Sequence, residues 1–225
     1  EASTATTAIS SALEMEPAID EIARRAAFRS TAATEVCKIG LKNYFAGALV
    51  LPYQIFMAAA KELRHDLELL AARFGASMEQ AAHRLSTLQR PGMKGIPVFF
   101  ATVDRAGNIT KRHSAVRLQF ARFGAACPLW NVHQDGVRYL SVAAEVRKRT
   151  AGYHALNRSY AIALGCEISY AGDFVYADGL DVENRAAFDP IGISCRICER
   201  RDCVQRAVPP LNAGILIDQN ARATL

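Results

Sequence analysis

A chain of 225 residues, 51% of them apolar and with a formal net charge of +5 at pH 7, is globular and too rich in core-forming residues to be a disordered segment. Its length allows one large domain or two small ones with ample core. The positive balance favours anionic partners in general, whether nucleotide, phosphate or nucleic acid, without choosing among them.

The chain starts at Glu1 rather than Met, which reads as a fragment or a processed product. No basic start followed by an apolar run suggests a signal peptide, and no apolar run approaches the roughly 18 residues of a membrane span. The expected compartment is the cytoplasm. Six cysteines in a chain this long, without a secretion signal, read better as metal ligands than as disulfides.

The first 90 residues carry helical signals. Pro17 opens a helix over roughly 17–29, with Ile19, Ile22, Ala23 and Ala26 at helical spacing and Arg24, Arg25 and Arg29 on a solvated face. A second helix, roughly 33–49, is apolar over much of its surface (Val36, Ile39, Leu41, Phe45, Leu49) and is expected in the core. Pro52 starts a third, roughly 52–64, with Ile55, Phe56 and Ala59 as the buried stripe. Asp66 caps a short helix holding Leu67, Leu69, Leu70 and Phe74, and Gly75 stops it. Ser77-Met-Glu-Gln80 is a capping box opening a last helix. His65 and His83 are expected as surface or cap residues.

Arg90-Pro91-Gly92-Met-Lys-Gly95-Ile-Pro97 breaks this pattern, and the period then changes to that of strands. Strands are expected at Val98–Val103, Ile109–Arg112, Arg117–Phe123, Val137–Val146, Ser159–Leu164 and Phe174–Tyr176. The fold class is therefore α+β: a helical subdomain, 1–90, packed on a mostly antiparallel sheet subdomain, 91–225.

Cys195-Arg-Ile-Cys198-Glu-Arg-Arg-Asp-Cys203 is the most informative stretch. Two residues between the first pair let a tight turn aim both sulfurs at one point, and the next step of four returns a third if the segment winds helically. Arg196, Arg200, Arg201 and Arg206 surround them and favour the thiolate, which is the ligating form. Three thiolates suit zinc or an iron–sulfur centre, and the residues alone leave both open. Without such a centre the segment around 193–209 has little apolar content to hold it in place.

Other chemistries are weaker. H-E-x-x-H, G-x-x-x-x-G-K and G-x-G-x-x-G are all missing from the sequence. Cys127 and His133, six apart, form at best a weak dyad for a hydrolase. The chain has no helix-turn-helix with a basic recognition helix, and the expectation is a binding module rather than an enzyme. An apolar floor with a cationic rim suits an acyl chain on a phosphorylated carrier; Lys111, Arg112, Phe120 and Trp130 are the candidates for it.

Two stretches carry a family resemblance. Asn43-Tyr-Phe-Ala-Gly-Ala-Leu-Val-Leu-Pro52, Phe74-Gly75-Ala-Ser77 and Ala82-His-Arg-Leu85 resemble the helical end of ImmA/IrrE-type metallopeptidase domains, but Gly40, Leu41 and Lys42 stand where that family places a metal-binding glutamate. The resemblance therefore implies degenerate, non-catalytic helices. Val103-Asp-Arg-Ala-Gly-Asn-Ile-Thr-Lys-Arg112, Cys127-Pro-Leu-Trp-Asn-Val-His133, Val175-Tyr-Ala-Asp-Gly-Leu-Asp181 and the cysteine stretch are together similar to the actinobacterial short-chain fatty-acyl transcriptional regulators of Xre type, most of all to the mycobacterial branch for propionate and methylcitrate-cycle genes. That resemblance implies a sensory portion binding coenzyme A or a short acyl-CoA. It also implies a [4Fe–4S] cluster on Cys195, Cys198 and Cys203 and promoter DNA read by a helix-turn-helix outside this chain; since DNA-reading regulators are often dimers on symmetric operators, a homodimer is a further expectation. The fourth cluster position stays open among Cys127, Cys166, Asp202, His133 and an exogenous ligand. A structural zinc-binding interaction domain and a Cys127/His133 hydrolase are the alternatives.

Overall fold

Local signals set the helices. The computed structural model describes residues 15–104, 109–116, 129–132, 136–148, 158–192, 198, 200, 203 and 211, with the backbone alone at 129–132, 148 and 158. Helices α1 (Glu16–Arg25), α2 (Thr31–Val50), α3 (Tyr53–Glu62), α4 (Leu67–Phe74) and α5 (Met78–Ser86) follow one another with short joints. Asp66 Oδ1 accepts the Glu68 and Leu69 amides at 2.9 and 3.0 Å, satisfying donors that the first turn of α4 leaves free. Gly75, at φ 60°, takes the left-handed conformation that ends it. The capping box on α5 is reciprocal: the Gln80 amide donates to Ser77 Oγ at 3.2 Å, and the Ser77 amide donates to Gln80 Oε1 at 2.8 Å. Arg24 and Arg25 pair with Glu21, as a solvated face would.

A small hairpin, β1 (Gln89–Arg90) and β2 (Met93–Lys94), occupies the Pro/Gly break. The main sheet holds β3 (Val98–Asp104), β4 (Ile109–Ser114), β5 (Leu129–Val132), β6 (Arg138–Lys148), β7 (Arg158–Glu167) and β8 (Asp189–Ile191). Its order is β4-β3-β7-β6-β5-β8, and every pairing is antiparallel except β5 with β8. Helices and sheet share one core: Phe56, Leu70 and Leu85 pack with Val98, Phe100, Leu140, Ile162 and Leu164. Residues 98–103 are buried on both sides of the sheet, so β3 reads as a continuous apolar run.

Four expectations need correction. Helix α2 has no buried residue: Val36 is 69% and Ile39 59% exposed. Apolar side chains on all its faces gave no direction for burial, and its main described contacts are with α1 and α5. Ile55 and Leu69 point outward, while Phe56, Ala59 and Ala60 and then Leu67, Leu70 and Ala71 face the core. Residues 174–176 are not a strand. The 3-10 turns Ile168–Asp173 and Val175–Ala177 flank Phe174, whose amide donates to Ala171 O, while the Val175 amide donates to Arg64 O. Finally, His65 is buried rather than a surface residue. It stacks on Phe174 at 4.5 Å, with Nδ1 3.0 Å from Asp173 O.

Arg64 completes this clasp. Its guanidinium donates to both Asp178 carboxylate oxygens at 2.7 and 2.8 Å and to the carbonyls of Gly172 and Phe174. Tyr176 Oη accepts the Leu67 amide at 2.9 Å. One short segment between α3 and α4 thus locks the helices to the 3-10 turns behind the sheet.

Candidate functional site

Two places in the fold carry chemistry: the segment after β8 and a cleft at the junction of helices and sheet. Strand β8 pairs in parallel with β5, Trp130 opposite Asp189 and Val132 opposite Ile191. The chain then reaches Cys198, which is 5% exposed, and the half-buried Cys203. Arg200 Nη1 donates to Pro190 O and lies 3.8 Å from Cys203 Sγ. The same guanidinium ties the cysteine segment to β8.

These two cysteines lie in the segment that the ligand spacing singles out, Cys198 buried and Cys203 beside Arg200. Cys195, Cys127, His133, Asp202 and Phe120 lie outside the described residues, as does the strand expected at 117–123. Trp130 enters only through its backbone position in β5. Among the described residues no three histidine, cysteine, aspartate or glutamate side chains gather into a metal-holding group. Cys166 sits in the core, on the face of β7 turned to the helices. Burial, with Asp173 and Glu167 adding to it, pushes its thiol up to about 12.

Lys111 and Arg112, adjacent on β4, project to opposite faces of the sheet. Lys111 Nζ lies 3.6 Å from Glu79 and 5.7 Å over the Phe100 ring. It belongs to a polar cluster with His83, His113 and Ser86, in which His113 Nδ1 is 3.0 Å from Ser86 Oγ and the two imidazoles are 5.9 Å apart. These two residues therefore do not converge on a common ligand.

Within that cluster, burial pulls the His83 imidazolium down to about 4; Lys111, His113 and Arg84 act in the same direction and Glu79 against it. The unfolded chain takes up this proton near the ordinary value of 6.5. Folding stability is therefore whole above that value and lost as pH falls from 6.5 toward about 4. His83→Gln is expected to reduce the drop in urea midpoint between about pH 7 and about pH 5. An identical drop in both proteins would assign it to other groups.

The cleft, of about 990 Å³, lies between the end of α3, the exit of the β1–β2 hairpin and the first 3-10 turn. Met57, Leu88, Ile96 and Pro97 give it an apolar floor, with Lys61 and Lys94 on the rim and His65, Tyr170 and Asp173 in the wall. Sequence reasoning missed it because its residues are scattered over four segments. The usable signal was the Pro/Gly break at 91–97, which forms one side.

Comparison with known proteins places this architecture in a class. The IrrE N-terminal-like domain family matches residues 12–86, the helical part. The chain belongs to the short-chain fatty acyl coenzyme A regulator family, whose C-terminal domain matches residues 87–225, the sheet and the cysteine segment. Among individual relatives, the propionyl-CoA carboxylase regulator of Cereibacter sphaeroides is 57% identical over 89% of this chain and 46% of its own length. The HTH-type transcriptional regulators PrpR and RamB of Mycobacterium tuberculosis are 43% and 42% identical, over 87% and 92% of this chain and 44% and 48% of their own. All three are named as regulators and none as an enzyme. A solved Mycobacterium tuberculosis transcriptional regulator superposes with TM-score 0.83 at 38% identity, over 95% of this chain and 70% of that one. The chain thus spans a little under half the length of the curated relatives it matches. No described helix is long and apolar enough to cross a membrane.

Proposed function

We propose that this chain is the sensory portion of a transcriptional regulator of propionate and short-chain fatty acid metabolism. It binds coenzyme A or a short acyl-CoA and a [4Fe–4S] cluster, and it passes ligand state to a DNA-binding helix-turn-helix outside the chain. The observation that carries this reading is the family match over 87–225, which covers both the sheet and the cysteine segment.

Cys195, Cys198 and Cys203 would hold the cluster, which when bound supplies a redox- and iron-sensitive cross-link. Arg200 lies beside Cys203 and fixes the segment to Pro190 of β8. A ligand that prefers one arrangement of these elements shifts the population toward it, which is all that sensing requires. Dimerisation fits a reader of symmetric operators.

The test is iron and acid-labile sulfide on anaerobically purified protein, with a visible spectrum before and after coenzyme A. About four of each per chain are expected. A spectral change on adding coenzyme A would tie the two ligands to one device. One zinc per colourless chain would turn the segment into a structural staple and remove the redox half of the function.

A further inference from the structure

Helix α2 carries an apolar face with no described partner. On one side Lys38 and Lys42 turn to α1, where they pair with Asp20 and Glu16 at 2.8 and 2.5 Å. Away from them, Val36, Ile39, Asn43 and Val50 recur at helical spacing and are all exposed. Gly40 and Gly47 lie in the same stripe, and a Cβ built on either meets nothing within 4 Å. Glycine weakens a helix interior, so two of them on one open face suit a neighbour that comes close to the backbone. Singly exposed apolar residues are ordinary, whereas a stripe about four turns long marks an interaction surface.

Arg84 gives a second, independent sign. It reaches from α5 to the end of α2, where Nε donates to Leu51 O at 2.8 Å and the guanidinium stands over the rings of Tyr44 and Tyr53. The residue is 6% exposed, yet Nη1 has no hydrogen-bond partner and no carboxylate pairs with it among the described residues. A buried cationic donor without an acceptor is costly, and a partner that brings a carboxylate removes that cost. Tyr44 is exposed at the margin of the stripe, so the orphan donor and the apolar face adjoin.

The occupant follows from length. The matched stretch makes up only 44–48% of the curated relatives, and the model matched over 87–225 describes a C-terminal domain. In those relatives the larger share of the chain thus lies ahead of the matched region. We propose that the equivalent N-terminal portion of this protein packs on α2. It lays an apolar surface on Val36, Ile39 and Val50, comes close at Gly40 and Gly47, and places a carboxylate on Arg84 Nη1. Two copies of the stripe meeting face to face would bring no carboxylate, since Asn43 is its one polar member. Helix α2 is then the joint by which this portion holds the rest of the regulator. The assignment rests on the chain being part of a longer regulator, and on neither its acyl-CoA nor its cluster.

Hydrogen–deuterium exchange on the complete regulator, beside the 225-residue chain, tests it. The α2 amides are expected to exchange about tenfold or more slowly in the complete regulator, with β3 little changed. Ile39→Glu should return α2 of the complete regulator to the exchange seen in the 225-residue chain, and should leave that chain's own exchange and circular dichroism as they were. Arg84→Met should also speed α2 exchange in the complete regulator. With Val36→p-benzoylphenylalanine and a mixture of isotope-labelled and unlabelled protein, photo-crosslinks should join α2 to the N-terminal portion of the same copy. Equal exchange in both proteins, crosslinks to a second copy, or crosslinks within residues 1–225 overturn the proposal, and each leaves the sensor reading standing.

Discussion

Gly165→Ala is expected to lower stability by about 3 kcal/mol, at or beyond the upper end for overpacking a well-filled core. Gly165 lies on β7 opposite Phe99, and a Cβ there would sit 2.3 Å from Phe99 Cζ and 2.4 Å from the Leu140 carbonyl oxygen. Two neighbours would have to give way. The Phe99 ring is 1% exposed and meets Tyr139 at 6.3 Å, so it has no vacant space to swing into. The Leu140 oxygen belongs to β6, the other neighbour of β7, so moving it disturbs the pairing at the centre of the sheet. Shrinking the ring through Phe99→Leu should therefore rescue only part of the loss. Gly172 offers the contrast: a Cβ there meets nothing within 4 Å, and Gly172→Ala should unfold near the wild-type urea midpoint. If Gly165→Ala and Gly172→Ala unfold together, the close packing described for β7 is wrong.

The helices were legible because their ends carry private chemistry. Asp66, Gly75 and the Ser77–Gln80 pair each satisfy backbone groups within a few residues, so sequence alone places them. Strand β3 was legible for a related reason: Val98–Val103 is an apolar β-rich run bounded by the Pro97 break and the turn after Asp104. What failed depended on distant partners. Burial of His65 needs Phe174 and Asp173, more than a hundred residues away. The same clasp explains why 174–176, with strand-like side chains, winds into 3-10 turns: Arg64 O accepts the Val175 amide that a sheet neighbour would otherwise take, and Tyr176 Oη is turned to the Leu67 amide. Helix α2 failed in the opposite way, since its composition announces burial and the fold supplies none among the described residues. As to function, the spacing of Cys195, Cys198 and Cys203 was visible as a motif, whereas the cleft exists only after α3, the hairpin and the 3-10 turn have met.

If the proposed [4Fe–4S] cluster is bound, Cys198→Ser is expected to remove it, lowering iron from about four per chain to below one. Cys198 stands at the centre of the C-x2-C-x4-C spacing, and a serine hydroxyl there is a poor soft-metal ligand. The effect should spread beyond the metal count. Arg200 to Pro190 O and the short parallel pairing of β8 with β5 are among the described ties of this segment to the sheet. If the cluster supplies the rest of the anchoring, its loss exposes the chain beyond Ile191, and limited proteolysis should cut between about 190 and 210 while the helices and β3–β7 survive. Two other cysteines make the test specific. Cys37→Ser, on the half-buried side of α2, should keep its iron and its digestion pattern. Cys166→Ala should keep its iron as well, because the buried thiol of Cys166 strongly resists the ionisation that ligation requires. Iron lost from Cys166→Ala with the fold intact would instead make it the fourth ligand. Iron and digestion unchanged in Cys198→Ser would mean that the segment is held by the protein alone, and the sensor would then have to work through its acyl-CoA site without a metal centre.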